Sequence, residues 1–347
     1  MGIDTPPPVN GDFVNEGTFL AIPPCFPGVS LPPPADETRA HRLFHSASRR
    51  DVFAATRGPV PRLLQFRLKE SCGYALNLGT PQGASEITAL LSHAMPDHEM
   101  LHVACAGAAG ASIHRSWSAV LGPGVQEWHV HAWPFTEVLT LPVASIDGMV
   151  ECGTRVFAWG GGAGFFLHRE GAGLALEKTM TLGAVHTVLK IDGTDHLLGP
   201  EWEIAPILWD RMEIAPVRKL SIPATAPQVL RSFPGGFVFA DSGGRIFEWC
   251  GGVPGERGRI PLAPVHALCR LRDGRIFASA GSDIAHWYVI EREEEWARDL
   301  GVPVSTLTAR RYGLHFSDLL EGSDGEILAA EDDRNGHLWI YFPPLQQ

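Results

Sequence analysis

No two cysteines in this 347-residue chain are spaced C-x-x-C; the six stand apart at positions 25, 72, 105, 152, 250 and 269. That scatter excludes a zinc site built on close cysteine pairs and the dense disulfide framework of a small secreted domain. Several of them sit in apolar runs such as HVAC and HALC, so they are expected to be small buried hydrophobes. Positive charge is also short: 28 Lys and Arg stand against 39 Asp and Glu, a formal net charge of −11. Phosphate binding needs a concentrated basic face, so no nucleic-acid partner is expected. No apolar run reaches the roughly 18 residues of a membrane span. The opening MGIDTPPPVNGDF has neither a basic n-region nor an apolar h-region, and Pro6 stands where a myristoylation signal carries Ser or Thr. No membrane association is expected, and a cytoplasmic location is.

What the chain has in excess is turn-formers, 38 Gly and 28 Pro, within a composition that is 45% hydrophobic and 19% charged. That profile suits many short strands better than long helices. A repeat organises them. The segments DVFAAT (51–56), LHVACA (101–106), RVFAWG (155–160), DHLLGP (195–200), FVFADS (237–242), RIFASA (275–280) and EILAAE (326–331) align as one recurring strand. Before most of them lies an apolar strand, joined by a turn such as IDG, PGG, RDG or SDG whose Gly suits a tight hairpin. After them come PRLLQF, GASIHRSW, GFFLHR, APILWD, GRIFEW, AHWYVI and GHLWIY, whose alternation of apolar and other residues predicts strands with one face buried. A fourth strand closes on a Leu-Gly or Ile-Pro phrase, as in LNLGTP, MTLGAV, LSIPAT, IPLAPV and DLGVPV.

Four strands recurring at a period of about 40 to 50 residues predict a seven-bladed β-propeller of four-stranded blades. The seventh unit runs out at YFPPLQQ without a fourth strand, while TFLAIPP (18–24) copies that strand as it appears in KLSIPAT (219–225). The N-terminus is therefore expected to complete the last blade and close the ring, removing two exposed sheet edges. Residues 1–16 are expected to be a flexible Pro-rich lead, and residues 17–347 one domain.

From about residue 17 onward the chain resembles the seven-bladed propellers, with units somewhat like the WD40 and YVTN types. Propellers with Gly-rich loops include lyases such as oligogalacturonate lyase and virginiamycin B lyase. That resemblance implies the fold, and implies a lyase-like function only by analogy.

A histidine often opens the repeat. His186, Gln228 and His266 lie eleven residues ahead of Leu197, Phe239 and Phe277; His41 lies twelve ahead of Phe53 and His315 thirteen ahead of Leu328. All five fall near the start of a blade's innermost strand, and such positions ring the mouth of a propeller's channel. Thr88 and Ala144 or Ser145 take the place in the remaining blades and leave an opening there. Neutral imidazoles are common metal ligands, so His41, His186, Gln228, His266 and His315 form a candidate set for a divalent Mn, Fe or Zn. The plainer reading is that the position was copied with the repeat, each polar group bonding a carbonyl or a channel water.

In a four-stranded meander the loop between the second and third strands shares a face with the start of the first. Arg57, Glu201, Asp241, Asp283 and the run Glu331, Asp332, Asp333 and Arg334 are thus expected at the rim. The segment ARRYG (309–313), read as the connection into the seventh blade, adds Arg310, Arg311 and Tyr312. His186, His266 and His315 as bases, Arg57 and Arg311 as anion-stabilising cations and Tyr312 as acid supply what elimination, isomerisation or hydrolysis of a small polar, anionic or saccharide-like substrate requires. The sequence therefore leads to a lyase-like enzyme at the channel mouth. Its alternatives are a noncatalytic protein-interaction or ligand-binding propeller and a histidine-ligated metal-dependent oxygenase.

Other features are read as structural. His129 and His131 share one strand face within EWHVHAWPF (127–135) but have no local third ligand. The recurrent Trp209, Trp249, Trp287 and Trp339 are expected to pack between blades rather than to stack a sugar. Gly160–Gly162 precede a strand, so they do not form a phosphate loop opening a helix, and REEEWARD (292–299) is expected to solvate an outer edge.

Overall fold

The computed structural model describes residues 18–22, 24–25, 39–47, 51–57, 60–69, 72–96, 98–118, 134–222, 227–260, 264–280, 284–290, 310–312, 316–322, 325–331 and 338–342. Their strands form seven separate sheets, five of four strands and two of five, with no helix among the described residues. In chain order the sheets begin with the strands Arg39–His45, Ala84–Ala94, Gly148–Cys152, Thr187–Ile191, Val229–Phe233, Val265–Arg270 and Phe316–Glu321. Each of these leads an antiparallel meander. The leading strands of neighbouring sheets abut, second against third, fourth against fifth, fifth against sixth, sixth against seventh and seventh against first. Radial meanders whose first strands face one axis are the architecture of a β-propeller.

The recurring Phe-Ala strand is the second of each meander: Val52–Arg57, Glu99–Gly107, Arg155–Gly160, Thr194–Leu198, Gly236–Ala240, Ile276–Ala280 and Ile327–Glu331. It is flanked by strands on both sides and covered on both faces by neighbouring sheets, so its residues run apolar without alternation. Phe53, Phe157, Phe237, Phe239 and Phe277 are fully buried there, each contributing about 1.5–3 kcal/mol of apolar transfer. The contacts between sheets repeat this pattern. Phe53 and Leu63 of the first sheet pack on Ile87 and Val103 of the second, and Ile113 of the second meets Val156 and Phe165 of the third. Trp202 of the fourth sheet, held at φ 61°, lies against Phe237 and Phe239 of the fifth. The two-residue turn Asp192–Gly193 has φ of 48° and 78°, the mirror-image turn that matches strand twist and favours Asp-Gly.

The outer strand of the seventh sheet comes from the other end of the chain. Thr18–Ile22 pairs antiparallel with Leu338–Phe342, Thr18 facing Phe342 and Ile22 facing Leu338. Pro24–Cys25 then runs parallel beside Cys72–Gly79 of the first sheet.

Two expectations are corrected at the level of strands. Arg310–Tyr312 is not a connection into the seventh sheet but the outermost strand of the sixth, with Tyr312 opposite Ile284 and Arg310 opposite His286. Its three residues carry a backbone pairing edge, which is why the segment docks on the sheet instead of crossing the rim. Ile260, which opens the Ile-Pro phrase, follows its outer strand, Val253–Arg259, rather than ending it. DLGVPV and REEEWARD lie outside the described residues. Of the described cysteines, Cys105 and Cys269 are buried as expected while Cys152 and Cys250, at strand ends, are exposed. Burial pushes the Cys105 thiol up to about 12.

Candidate functional site

A cavity of about 540 Å³ opens where the leading strands converge. Its wall includes His41 and Arg42 of the first sheet, Glu86 and Thr88 of the second, Asp147 and Gly148 at the third, His186 and Thr187 at the fourth, Arg231 of the fifth, and Ser317 and Asp318 of the seventh. His186 and Gln228 immediately precede their leading strands, and His41 and His266 lie near the starts of theirs. The structure thus puts all four described members of the ring at the openings of inner strands. It does not bring them to one point.

His41 is buried, its Nδ1 3.2 Å from the Ala55 carbonyl and its Nε2 3.3 Å from Glu86 Oε1. His186 lines the cavity from the fourth sheet, and burial holds its pKa below the ordinary imidazole value. Gln228 turns its carboxamide oxygen to the Val265 N–H at 3.4 Å, tying the fifth sheet to the sixth. Among the described residues no three His, Cys, Asp or Glu are grouped closely enough to hold a metal. His315, Asp283, Asp332, Asp333, Arg334, His129 and His131 lie outside the described residues.

Two of the rim acids, Asp241 and Glu201, are engaged locally. Asp241 accepts from the Gly243 N–H at 2.9 Å, the Arg245 N–H at 3.0 Å and Arg245 Nε at 2.7 Å. Burial alone would raise its carboxyl pKa; the bonds from Arg245 and Gly243 outweigh it and hold the carboxyl below its usual range. A tighter Asp–Arg pair, two residues apart, holds the turn between the first two strands of the sixth sheet, where Asp273 accepts from the Arg275 N–H at 3.0 Å and Arg275 Nε at 2.8 Å. Glu201 pairs with Lys219 at 3.3 Å in solvent. Arg57 ends its strand at the expected loop, whereas Arg311 and Tyr312, on the sixth sheet's outermost strand, are removed from the place at the mouth that their roles as cation and acid required.

Residues that the sequence reading passed over make up the rest of the channel wall. Arg231 reaches Asp318 at 3.1 Å, Asp318 accepts from the Leu43 N–H at 2.8 Å, and Arg231 lies 3.5 Å from the Leu43 carbonyl. That clasp joins the fifth, seventh and first sheets. Arg42 donates to the Thr88 carbonyl and the Ser317 hydroxyl to the His41 carbonyl at 3.0 Å. Glu86 was legible in principle: it stands two residues ahead of Thr88 on the same leading strand. Asp147 was missed because the third blade's opening was placed two or three residues too early.

A second buried chain of polar groups lies between the second and third sheets. His93 Nε2 is 2.8 Å from His102 Nδ1, and His93 Nδ1 is 2.5 Å from Glu151 Oε2. Burial first, and then His93, lower the His102 pKa to about 3. Trp209 bonds Asp195 at 3.0 Å and meets Phe166 of the third sheet edge-on, and Trp249 stacks on Phe237 within its own sheet. Both therefore pack against protein.

No family model matches the chain, and no curated protein matches it. Solved structures do. The WD40 β-propeller domain of Doa1 aligns with 89% of this chain and 94% of its own at TM-score 0.55 and 11% identity. U3-55K aligns with 88% of this chain and 96% of its own at TM-score 0.57 and 11% identity. The WD40 repeats of RRP9 cover 88% and 95% at TM-score 0.56, again at 11% identity. The fold is thus a β-propeller similar to WD40 domains. These neighbours, together with the channel groups tied across sheets and the outward placement of Arg311 and Tyr312, overturn the expected lyase-like enzyme. They overturn with it the small-molecule or saccharide-like substrate.

Proposed function

We propose that the chain is a noncatalytic interaction propeller in which residues 17–347 form one domain of seven blades. Thr18–Ile22 closes its ring, and residues 1–16 lead into it. One observation carries the reading: the polar groups along the axis serve to join sheets. His41 meets Glu86 of the next sheet, Arg42 the Thr88 carbonyl, Ser317 the His41 carbonyl, Gln228 the Val265 N–H, and Arg231 holds Asp318. Catalytic acids and bases are poised toward a reacting atom. Groups bonded across sheet boundaries instead fix radial sheets into a rigid ring, and a rigid ring presents its loops as a broad docking face. The likeness to WD40 domains supports the same reading. The acidic balance of the chain favours a protein partner over a nucleic acid.

Affinity capture of the tagged chain, followed by quantitative mass spectrometry, tests this. A platform retains at least one protein at near-equal molar ratio, and cross-links map it to loops of the ring. A chain that captures no protein at such a ratio from its native extract overturns the reading.

A further inference from the structure

Six of the seven sheets have a short, broken or partly covered outer edge. In the first, Pro24–Cys25 lies beside Cys72–Gly79. The second ends in Thr136–Leu141, six residues bounded by Pro142. The fourth has only the fragments Glu213–Ile214 and Arg218–Lys219, split around Pro216. The fifth carries Pro254 and the charges of Glu256, Arg257 and Arg259 within Val253–Arg259. The sixth offers three residues, Arg310–Tyr312, and the seventh five, Thr18–Ile22, with Pro23 next in the sequence. Such devices keep sheet edges from pairing with other chains. The third sheet has the longest outer strand, Gly173–Thr181, nine residues without proline and with no described strand beyond it. Ala175, Leu176, Glu177, Thr179 and Thr181 are exposed along it, Leu176 at 45%.

The backbone of this strand is symmetric about its middle. It pairs with Ala163–Glu170, and across an antiparallel pair bonded and unbonded positions alternate. Arg169 gives its N–H to the Thr154 carbonyl on the far side of its strand, so Leu174 opposite it points its own backbone groups outward, and Leu176 follows in the same phase. From the other end, Leu182 donates to the Gly162 carbonyl, so Thr181 and then Thr179 point outward. Between them Leu176 faces Leu167 and Lys178 faces Phe166, which leaves Glu177 as the extra residue of a bulge. The bulge brings the two halves into mirror phase. Outward groups stand at Leu174, Leu176, Thr179 and Thr181, evenly disposed about the bond between Glu177 and Lys178.

We infer that this strand pairs antiparallel with the same strand of a second copy of this chain, joining two third sheets into one. Leu176 then meets Thr179 of the second copy and Leu174 its Thr181, outward groups facing outward groups throughout. Glu177 comes opposite Lys178 of the second copy, and the two-fold axis repeats the contact. Slipping by one residue would set Glu177 against Glu177 or Lys178 against Lys178, which opposes pairing, and would turn outward groups onto inward ones. Both charges are held only loosely within the chain, Glu177 at 3.5 Å from Arg155 and Lys178 at 3.9 Å from Glu213. The contact is one strand wide, so the dimer is weak and reversible.

Sedimentation velocity of the full chain from micromolar to millimolar concentration tests this, and wild type is expected to pass from monomer to dimer. Glu177→Lys and Lys178→Glu each set like charges across the axis and are expected to weaken the dimer about tenfold. Their equimolar mixture restores both attractions and is expected to associate as wild type does. Thr179→Pro removes an outward N–H without touching a bond inside the sheet, and is expected to lose the dimer with its urea midpoint retained. Should that variant fail to fold, the charge exchange decides alone. A wild-type chain that stays monomeric throughout overturns the inference. So do charge variants that dimerise as tightly as wild type, or a mixture no tighter than its components.

Discussion

Arg231 and Asp318 are 87 positions apart in the chain and 3.1 Å apart in space, an ion pair that reaches from the fifth sheet to the seventh past the sixth. With the Leu43 backbone bonded to both, it links early, middle and late parts of the chain at the axis. Because both side chains are partly shielded, Asp318→Asn and Arg231→Gln are each expected to lower stability by about 1–2 kcal/mol, a range set by charge-assisted bonds and solvent screening together. The double variant should cost less than the sum of the singles. Urea unfolding of the four proteins measures this, and additive losses would show that the pair is not coupled.

The closing strand gives a sharp comparison between two truncations. Deleting residues 1–16 is expected to leave the urea midpoint unchanged. Deleting residues 1–22 removes the strand paired to Leu338–Phe342, exposes the edge of the seventh sheet, and should both lower the midpoint and promote self-association. Sedimentation velocity beside the unfolding curve reads both effects; equal behaviour of the two truncations would refute the closure.

His102 predicts an acid limb. Its folded pKa, about 3, lies below the ordinary imidazole value of 6.5 because the ring is buried, so the unfolded chain binds the extra proton first. The stability from keeping the ring neutral is complete above about pH 6.5 and is lost progressively as pH falls toward about 3, by at most about 1.4 kcal/mol per pH unit. His102→Gln should flatten the pH dependence of unfolding free energy across that window. An unchanged slope would mean that the ring titrates normally.

Asp241 acts at lower pH. Its folded carboxyl pKa is depressed, so its contribution is present above the unfolded value of about 3.9 and disappears as pH falls through the folded one. Asp241→Asn is expected to destabilise the protein at neutral pH, by about 1–2 kcal/mol for the bonds from Gly243 and Arg245. Wild type and variant should converge under acid, which denaturation at stepped pH can follow.

Metal content is the measurement that addresses the histidine ring directly. If the inner-strand polar groups join sheets, protein purified without a histidine tag and its His186→Ala/His266→Ala variant should carry equal, substoichiometric metal by elemental mass spectrometry. Near-stoichiometric Mn, Fe or Zn that the variant loses would instead place a metal at the mouth.

Most of the fold was legible because each blade repeats the same compromise. A strand covered on both faces must read as an apolar run, and Phe53, Phe157, Phe239 and Phe277 stand at the same place in theirs. The copied phrase at 18–22 pointed to the seventh sheet for the same reason, since a missing strand leaves a gap of known shape. The site was less legible. The aligned histidines marked where inner strands begin, yet alignment does not say whether a ring nitrogen meets a carbonyl, as His41 does at Ala55, or a ligand. Arg311 and Tyr312 were misplaced because three residues of outer strand look, in sequence, like a loop.

Thr18 faces Phe342, so the two ends of the ring-closing pair leave the sheet on the same side. Force applied through the chain ends would therefore load the hydrogen bonds of that pair one after another, as a zipper opens, and not all together in shear. Pulling would thus be concentrated on this one strand pair, whereas denaturant acts on every sheet at once. A tether or a translocating motor that pulls on either terminus would meet its weakest direction first.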